Sequence, residues 1–159
     1  MAAPLASFDA PFASTAEMDA ALVAGWNETV VPGDTVWHLG DFAVRIAPER
    51  VAGLLASLTG IKHLIAGNND TAAVRELPGW ATVRDYAELD LDGQRLILCH
   101  YPLRAWNGQH RGALQLHGHS HGRLKPLPRQ FDVGVDACEF RPIAVADLLL
   151  QRRAPRVVT

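Results

Sequence analysis

Apolar positions change their period along this chain, and the changes outline its elements. Met18, Leu22 and Trp26 recur at helical spacing behind Ser14-Thr15-Ala16-Glu17, which has the form of a capping box, so residues 15–28 are predicted to form an amphipathic helix. Residues 35–39 are a short apolar run that stops at Gly40-Asp41. Pro48 suits the first position of a helix, and Val51, Leu54, Leu55 and Leu58 follow at i, i+3, i+4 and i+7 until Gly60. Residues 61–66 read as the next strand and end in Gly67-Asn68-Asn69-Asp70; a short helix at 71–77 precedes Pro78.

The second half changes character. Residues 86–91 and 94–99 are strand-like runs joined by Asp92-Gly93, a strong hairpin signal. A polar loop over 102–112 leads to a strand at 113–116, residues 131–135 form another, and 142–151 read as a closing helix. Strands alternate with helices first and dominate later. The expected fold class is a layered α/β domain with mixed sheets, residues 1–159 forming one domain.

Composition narrows this picture. A chain 48% hydrophobic and 20% charged can build an ordinary core. A net charge of -2 gives no general attraction to nucleic acid or anionic lipid, and the basic residues Arg123, Lys125 and Arg129 make too short a patch to argue for nucleic-acid binding. No run of apolar residues is long enough to span a membrane, and residues 1–10 lack the basic segment of a secretory signal. Two cysteines, Cys99 and Cys138, make no disulfide framework. A cytoplasmic protein is the expectation.

The chemistry lies where the apolar runs stop. Four of them end in side chains that can bind metal: Asp41, Asn68, His100 and His119. Open α/β sheets bind ligands beyond the carboxyl ends of their strands, so four ends can bring these residues to one crevice. Mixed oxygen and nitrogen donors suit Mn, Fe, Zn or Ni, and a carboxylate can bridge two ions, for which Asp41 is the best candidate. His117, His119 and His121 alternate with Gly118 and Ser120, a pattern that a polar surface loop would also show. His117 is expected to support that loop by hydrogen bonding. Asp70 also suits a helix cap. Cys99 reads as a buried inert thiol. Arg104, Trp106, Asn107 and Arg111 stand in the loop before His119, where arginine would be able to grip phosphate.

Taken in order, Gly40-Asp41, Gly67-Asn68-Asn69-Asp70, His100 and Gly118-His119-Ser120-His121 resemble the motif blocks of calcineurin-like metallophosphoesterases. The resemblance runs from about Pro11 to Pro142, and His100-Tyr101-Pro102-Leu103 and Asp132-Val133-Gly134-Val135-Asp136 are similar to a subgroup of small bacterial phosphoesterases. It implies an α/β sandwich and two divalent ions. Asp41 would bridge them, Asn68, His100 and His119 would complete one shell, and His121 would bind the other ion. Two ions roughly 3.5–4 Å apart can clamp an in-line displacement at phosphorus. The implied activity is hydrolysis of a phosphate mono- or diester by a metal-activated water, on a small substrate such as a nucleotide.

The chain departs from the family pattern twice. The family opens with a strand ending in Asp-x-His, which supplies ligands to the first ion. Here the sole candidate is Asp9, and no histidine precedes His38. The implied sandwich therefore lacks its first strand; of the family's two ions, one keeps Asp41, Asn68, His100 and His119, and the other keeps only Asp41 and His121, so this chain could hold one ion or two. A central strand buries apolar side chains at roughly 1.5–3 kcal/mol each, against about 5–15 kcal/mol for a whole domain. Met1 is accordingly expected to be an internal methionine of a longer protein, and the unpaired sheet edge would favour a homodimer. Within the catalytic block, Asn69 and Asp70, Asn69 stands where many members place a histidine that protonates the leaving group. His38, His63 and His110 are the available substitutes. These departures keep open a rival reading, a phosphoesterase scaffold serving as a non-enzymatic binding module.

Overall fold

The computed structural model describes residues 13–43, 46–125 and 127–153. The first helix, α1 (Thr15–Thr29), is capped by Ser14 Oγ, which accepts from the Glu17 N–H at 3.1 Å. Glu17 Oε2 reaches back to the Ala13 N–H at 2.8 Å, so the reciprocal half of the box closes one residue earlier than the sequence pattern implies. After β1 (Thr35–His38), α2 (Pro48–Ser57) leads to β2 (Ile61–Ile65), and α3 (Ala72–Arg75) to β3 (Trp80–Arg84). These three strands form one parallel sheet in the order β1-β2-β3.

A second sheet holds β4 (Tyr86–Leu91), β5 (Gln94–Cys99), β6 (Leu114–His117) and β7 (Gln130–Asp132) in that order. The hairpin β4–β5 is antiparallel, while β5, β6 and β7 run parallel. Asp92 and Gly93 both take positive φ, 51° and 79°, as a two-residue hairpin turn matched to strand twist requires. The final helix, α4, covers Val145–Arg153. No helix among the described residues is long and apolar enough to cross a membrane.

Strand alternation sorts the side chains into layers. Val36 turns toward α1, packing with Trp26, Val30 and Leu58. Trp37 turns the other way, joining Leu39 and Ile65 against Leu96, Leu98, Leu114 and Leu116 of the second sheet, with Leu148 of α4. The core thus lies between two sheets, with α1 on the outer face of the first. Ile97 faces outward beneath Trp106, whose indole N–H donates to the Ala113 carbonyl at 3.0 Å. The loop expected to be polar is therefore pinned by a buried tryptophan.

Two differences from the sequence reading stand out. No strand was expected at Trp80–Arg84, which is a half-exposed edge strand without apolar alternation and is held by main-chain pairing to β2. The strand expected over 131–135 is only Gln130–Asp132, because Gly134 turns the chain and donates its N–H to Asp132 Oδ1 at 2.9 Å. Along the β1 edge runs an apolar groove of about 970 Å³, lined from α1 and the outer face of the first sheet by Trp26 and Val36 and from the second sheet and α4 by Leu89, Leu96, Leu98 and Leu148, among others. Its wall also includes Asp41, His100, His119, His121 and Asp136. On that side β1 is the edge of its sheet among the described residues.

Candidate metal centre

The two ligand loops of the first sheet are held together from within. Asp70, 5% exposed, accepts N–H groups from Asp41 and Gly67 on Oδ2 and from Phe42 on Oδ1, each at 2.8 Å. An ionised carboxylate has acceptor sites for all three. Asp70 was placed by sequence in the catalytic block. Its carboxylate is occupied by backbone, so its part is to fix the loops that carry Asp41 and Asn68. Arg75 adds bonds to the carbonyls of Asp70 and Gly67, at 3.0 and 3.3 Å.

Two glycines permit this closeness. A Cβ on Gly67 would fall 2.3 Å from Asp41 Oδ1, and one on Gly40 (φ 91°) would fall 2.4 Å from His100 Nδ1. Three of the candidate residues themselves take left-handed backbone: Asp41 (φ 57°), His119 (φ 62°) and His121 (φ 49°). Such conformations cost of order 1–3 kcal/mol each and collect where a site dictates side-chain direction.

His100, 1% exposed at the end of β5, is the hub. Its Nδ1 lies 2.7 Å from the Leu39 carbonyl, which only accepts, so Nδ1 carries a proton, and the tautomer this selects for a neutral ring has its lone pair at Nε2. Around that lone pair stand Asn68 Oδ1 at 3.1 Å, His119 Nδ1 at 3.1 Å and Asp41 Oδ2 at 3.5 Å. Ligands about 2.0–2.2 Å from one divalent ion sit roughly 3.0–3.5 Å from each other. The donor set therefore fits a shared cation, toward which the Asn68 carbonyl oxygen and the His100 Nε2 lone pair of that tautomer would both point. One ligand atom from each of Asp41, His100 and His119 lies within 4.8 Å of the other two. Tyr101, 43% exposed, packs edge-on against both His100 and His119 with ring centres 4.9 Å away.

The other expected residues lie around this cluster. His121 stands outside it, with Nδ1 held by Asp136 Oδ2 at 2.5 Å. Asn69 donates its backbone N–H to Asp41 Oδ1 and its amide Nδ2 to Asp41 Oδ2, both at 2.9 Å. That pair of bonds orients the Asp41 carboxylate. His117, 4% exposed, places Nδ1 2.9 Å from the Gly118 carbonyl, a loop support rather than a member of the cluster. Asp9 lies outside the described residues.

Of the substitute histidines, His63 stacks on Trp37 with ring centres 4.4 Å apart and bonds Thr82 Oγ1, while His110 is exposed in a short turn at Gln109–Arg111. His38 is packed against Phe42 and Trp80 with its Nδ1 unpartnered. Burial holds its pKa below the ordinary histidine value, against the attraction of Asp70 and Asp41. Asn107 donates to the Glu88 carboxylate, and Arg104 and Arg111 are exposed. The Cys138 thiol is pushed up to about 11 by burial and by Asp132 and Glu139, so it stays protonated near neutrality.

Two carboxylates were given no role by sequence reasoning, Asp132 and Asp136. Their signal was present: they bracket Val133-Gly134-Val135 directly after a strand. Only the parallel pairing of β6 and β7 shows that this segment meets the His119–His121 loop.

Comparison with known proteins bears on the same residues. The model of the calcineurin-like phosphoesterase superfamily domain matches residues 17–127. The chain belongs to this superfamily. Among curated relatives of this phosphoesterase-family chain, the gene 66 protein of Mycobacterium phage D29 is 32% identical over 143 residues, covering 70% of this chain and 72% of that protein. The uncharacterized protein MJ1445 of Methanocaldococcus jannaschii is 24% identical over 149 residues, covering 89% of this chain and 78% of the other. The crystal structure of AQ665, a protein of unknown function from Aquifex aeolicus, superposes with a TM-score of 0.66 over 84% of both chains at 20% identity. That likeness shows the sandwich fold.

Proposed function

We propose that this chain hydrolyses phosphate mono- or diesters with divalent metal held by Asp41, Asn68, His100 and His119, and that His121 serves a second ion. The observation that carries the proposal is the meeting of three donor atoms from three strand ends around a fourth, His100 Nε2, at 3.1–3.5 Å. When bound, divalent ions supply positive charge at the phosphoryl oxygens and lower the pKa of water toward neutrality. The chain's own groups do the rest. Asn69 and the Asp70-bound loops hold Asp41 with both oxygens directed. His119 is exposed and stands beside the open face of Tyr101, which leaves room for the organic part of a small ester such as a nucleotide.

A second reading, a non-enzymatic binding module, is favoured by one observation: Asn69 has no proton to give a leaving group, and its amide is committed to Asp41. The test is to strip the full chain of metal and reload it with Mn²⁺, Ni²⁺ or Zn²⁺. Bound metal is then counted, and hydrolysis of bis(p-nitrophenyl) phosphate and p-nitrophenyl phosphate is measured. Metal-dependent turnover that disappears in Asp41→Asn is expected. Tight metal binding with no turnover on either ester overturns the enzymatic reading in favour of the module.

A further inference from the structure

The parallel register of β6 and β7 pairs His117 with Asp132, so the segments that continue from the two strands leave the same end of the sheet. One carries His119, Ser120 and His121, and the other carries Asp132 and Asp136. They are joined by carboxylates. Asp132 Oδ2 accepts from Ser120 Oγ at 2.6 Å and from the Gly122 N–H at 2.8 Å. Asp136 Oδ2 meets His121 Nδ1 at 2.5 Å, with Asp136 9% and His121 26% exposed. Asp132 thus fixes the loop around His121, and Asp136 fixes the ring itself.

The two histidines of this loop offer different atoms. His119 turns Nδ1 toward His100 Nε2. In His121 the same atom is taken. A carboxylate is an acceptor, so the proton between Asp136 and His121 belongs on Nδ1, and in the tautomer this selects the lone pair is on Nε2. A short imidazole–carboxylate contact on one ring nitrogen, in a histidine that lines a cavity together with Asp41 and His119, is how metal-binding histidines are oriented from behind.

We propose that Asp136 is the positioning residue of His121: it holds Nδ1 so that Nε2 is the atom offered to a second divalent ion, while Asp132 keeps the strained loop in place. This rests on the two-ion reading of the site. Asp136 stands in a segment that resembles the family, but its part there is visible only across the pairing of β6 and β7.

The experiment uses the full chain. In metal-free protein with ¹⁵N-labelled histidine, long-range ¹H–¹⁵N correlation reads which ring nitrogen of His121 bears hydrogen. The proposal expects Nδ1–H. Calorimetric titration with Co²⁺ then compares wild type with Asp136→Ala, Asp136→Asn and His121→Ala. Expected for Asp136→Ala is a loss of about 10–100-fold in affinity for the second equivalent, with the first unchanged. Asp136→Asn keeps an acceptor oxygen and should lose less. The unchanged first equivalent also shows that each variant is folded, and the tautomer is read on wild type without any variant. An Nε2–H tautomer in wild type, or an Asp136→Ala titration that superimposes on wild type, overturns the proposal. A wild type that takes one equivalent, as His121→Ala does, overturns the two-ion reading and this proposal with it. Two equivalents in wild type, one in His121→Ala and an unperturbed second equivalent in Asp136→Ala overturn the role of Asp136 alone.

Discussion

Asn69 donates both its backbone and its amide N–H to Asp41, and no imidazole shares its position between Asn68 and Asp70. An amide does not give up a proton near neutral pH, so the leaving oxygen must depart with its charge unquenched by this residue. Rates across a series of aryl phosphate esters are expected to fall steeply as the leaving phenol becomes more basic. Asn69→His is expected to flatten that slope and to raise the rate on poor leaving groups by up to about 10²–10⁴-fold, the usual worth of a general acid. A flat slope in the wild type would show that another residue supplies the proton. At this scale the sequence was informative about identity and silent about partners. Asp41, Asn68, His100 and His119 stood out because each follows an apolar run. The bond from Asn69 to Asp41 spans 28 positions and has no local pattern.

At the scale of elements, the centre is a set of loops tied to one another rather than to the strands that deliver them. Asp70 carries most of that tie, with three N–H groups from two loops on one carboxylate. Hydrogen bonds to a charged group contribute roughly 1.5–3 kcal/mol each, and they share the same acceptor. Asp70→Ala is expected to cost about 2–4 kcal/mol in urea unfolding and to abolish metal binding. Asp70→Asn, with one acceptor oxygen, should fall between. Sequence located these loops through Gly40-Asp41 and Gly67-Asn68, and it found α1, α2 and the β4–β5 hairpin through their periodicity. It missed β3, because an edge strand held by its backbone needs no apolar alternation. Asp70 reads equally well as a helix cap, and only the folded geometry shows that Thr71 caps α3 instead.

For the molecule as a whole, the two sheets meet with their ligand-bearing strand ends together, and His38 closes β1 packed against Phe42 and Trp80. Its pKa is lowered by burial, so the folded state takes up a proton less readily than the unfolded chain, whose histidine titrates at about 6.5. Where the unfolded state binds more protons, stability falls as pH falls. Metal-free protein is therefore expected to lose stability from pH 7.5 toward 5.5 in chemical denaturation, and His38→Gln to show a smaller loss. Equal losses would remove His38 from the account. The layering was legible in the change from helical to strand period, but the division into two sheets was not, since it depends on which edges pair. The groove along the β1 edge has a practical consequence. An apolar slot of about 970 Å³ matches the size of pockets that hold drug-sized molecules. A fluorescent probe such as ANS should enter it in the native protein, giving the bright emission normally taken as the mark of a molten globule. The near-ultraviolet dichroism of Trp37 and Trp80, both packed against neighbouring rings, would stay intact and show that the bright state is the folded one.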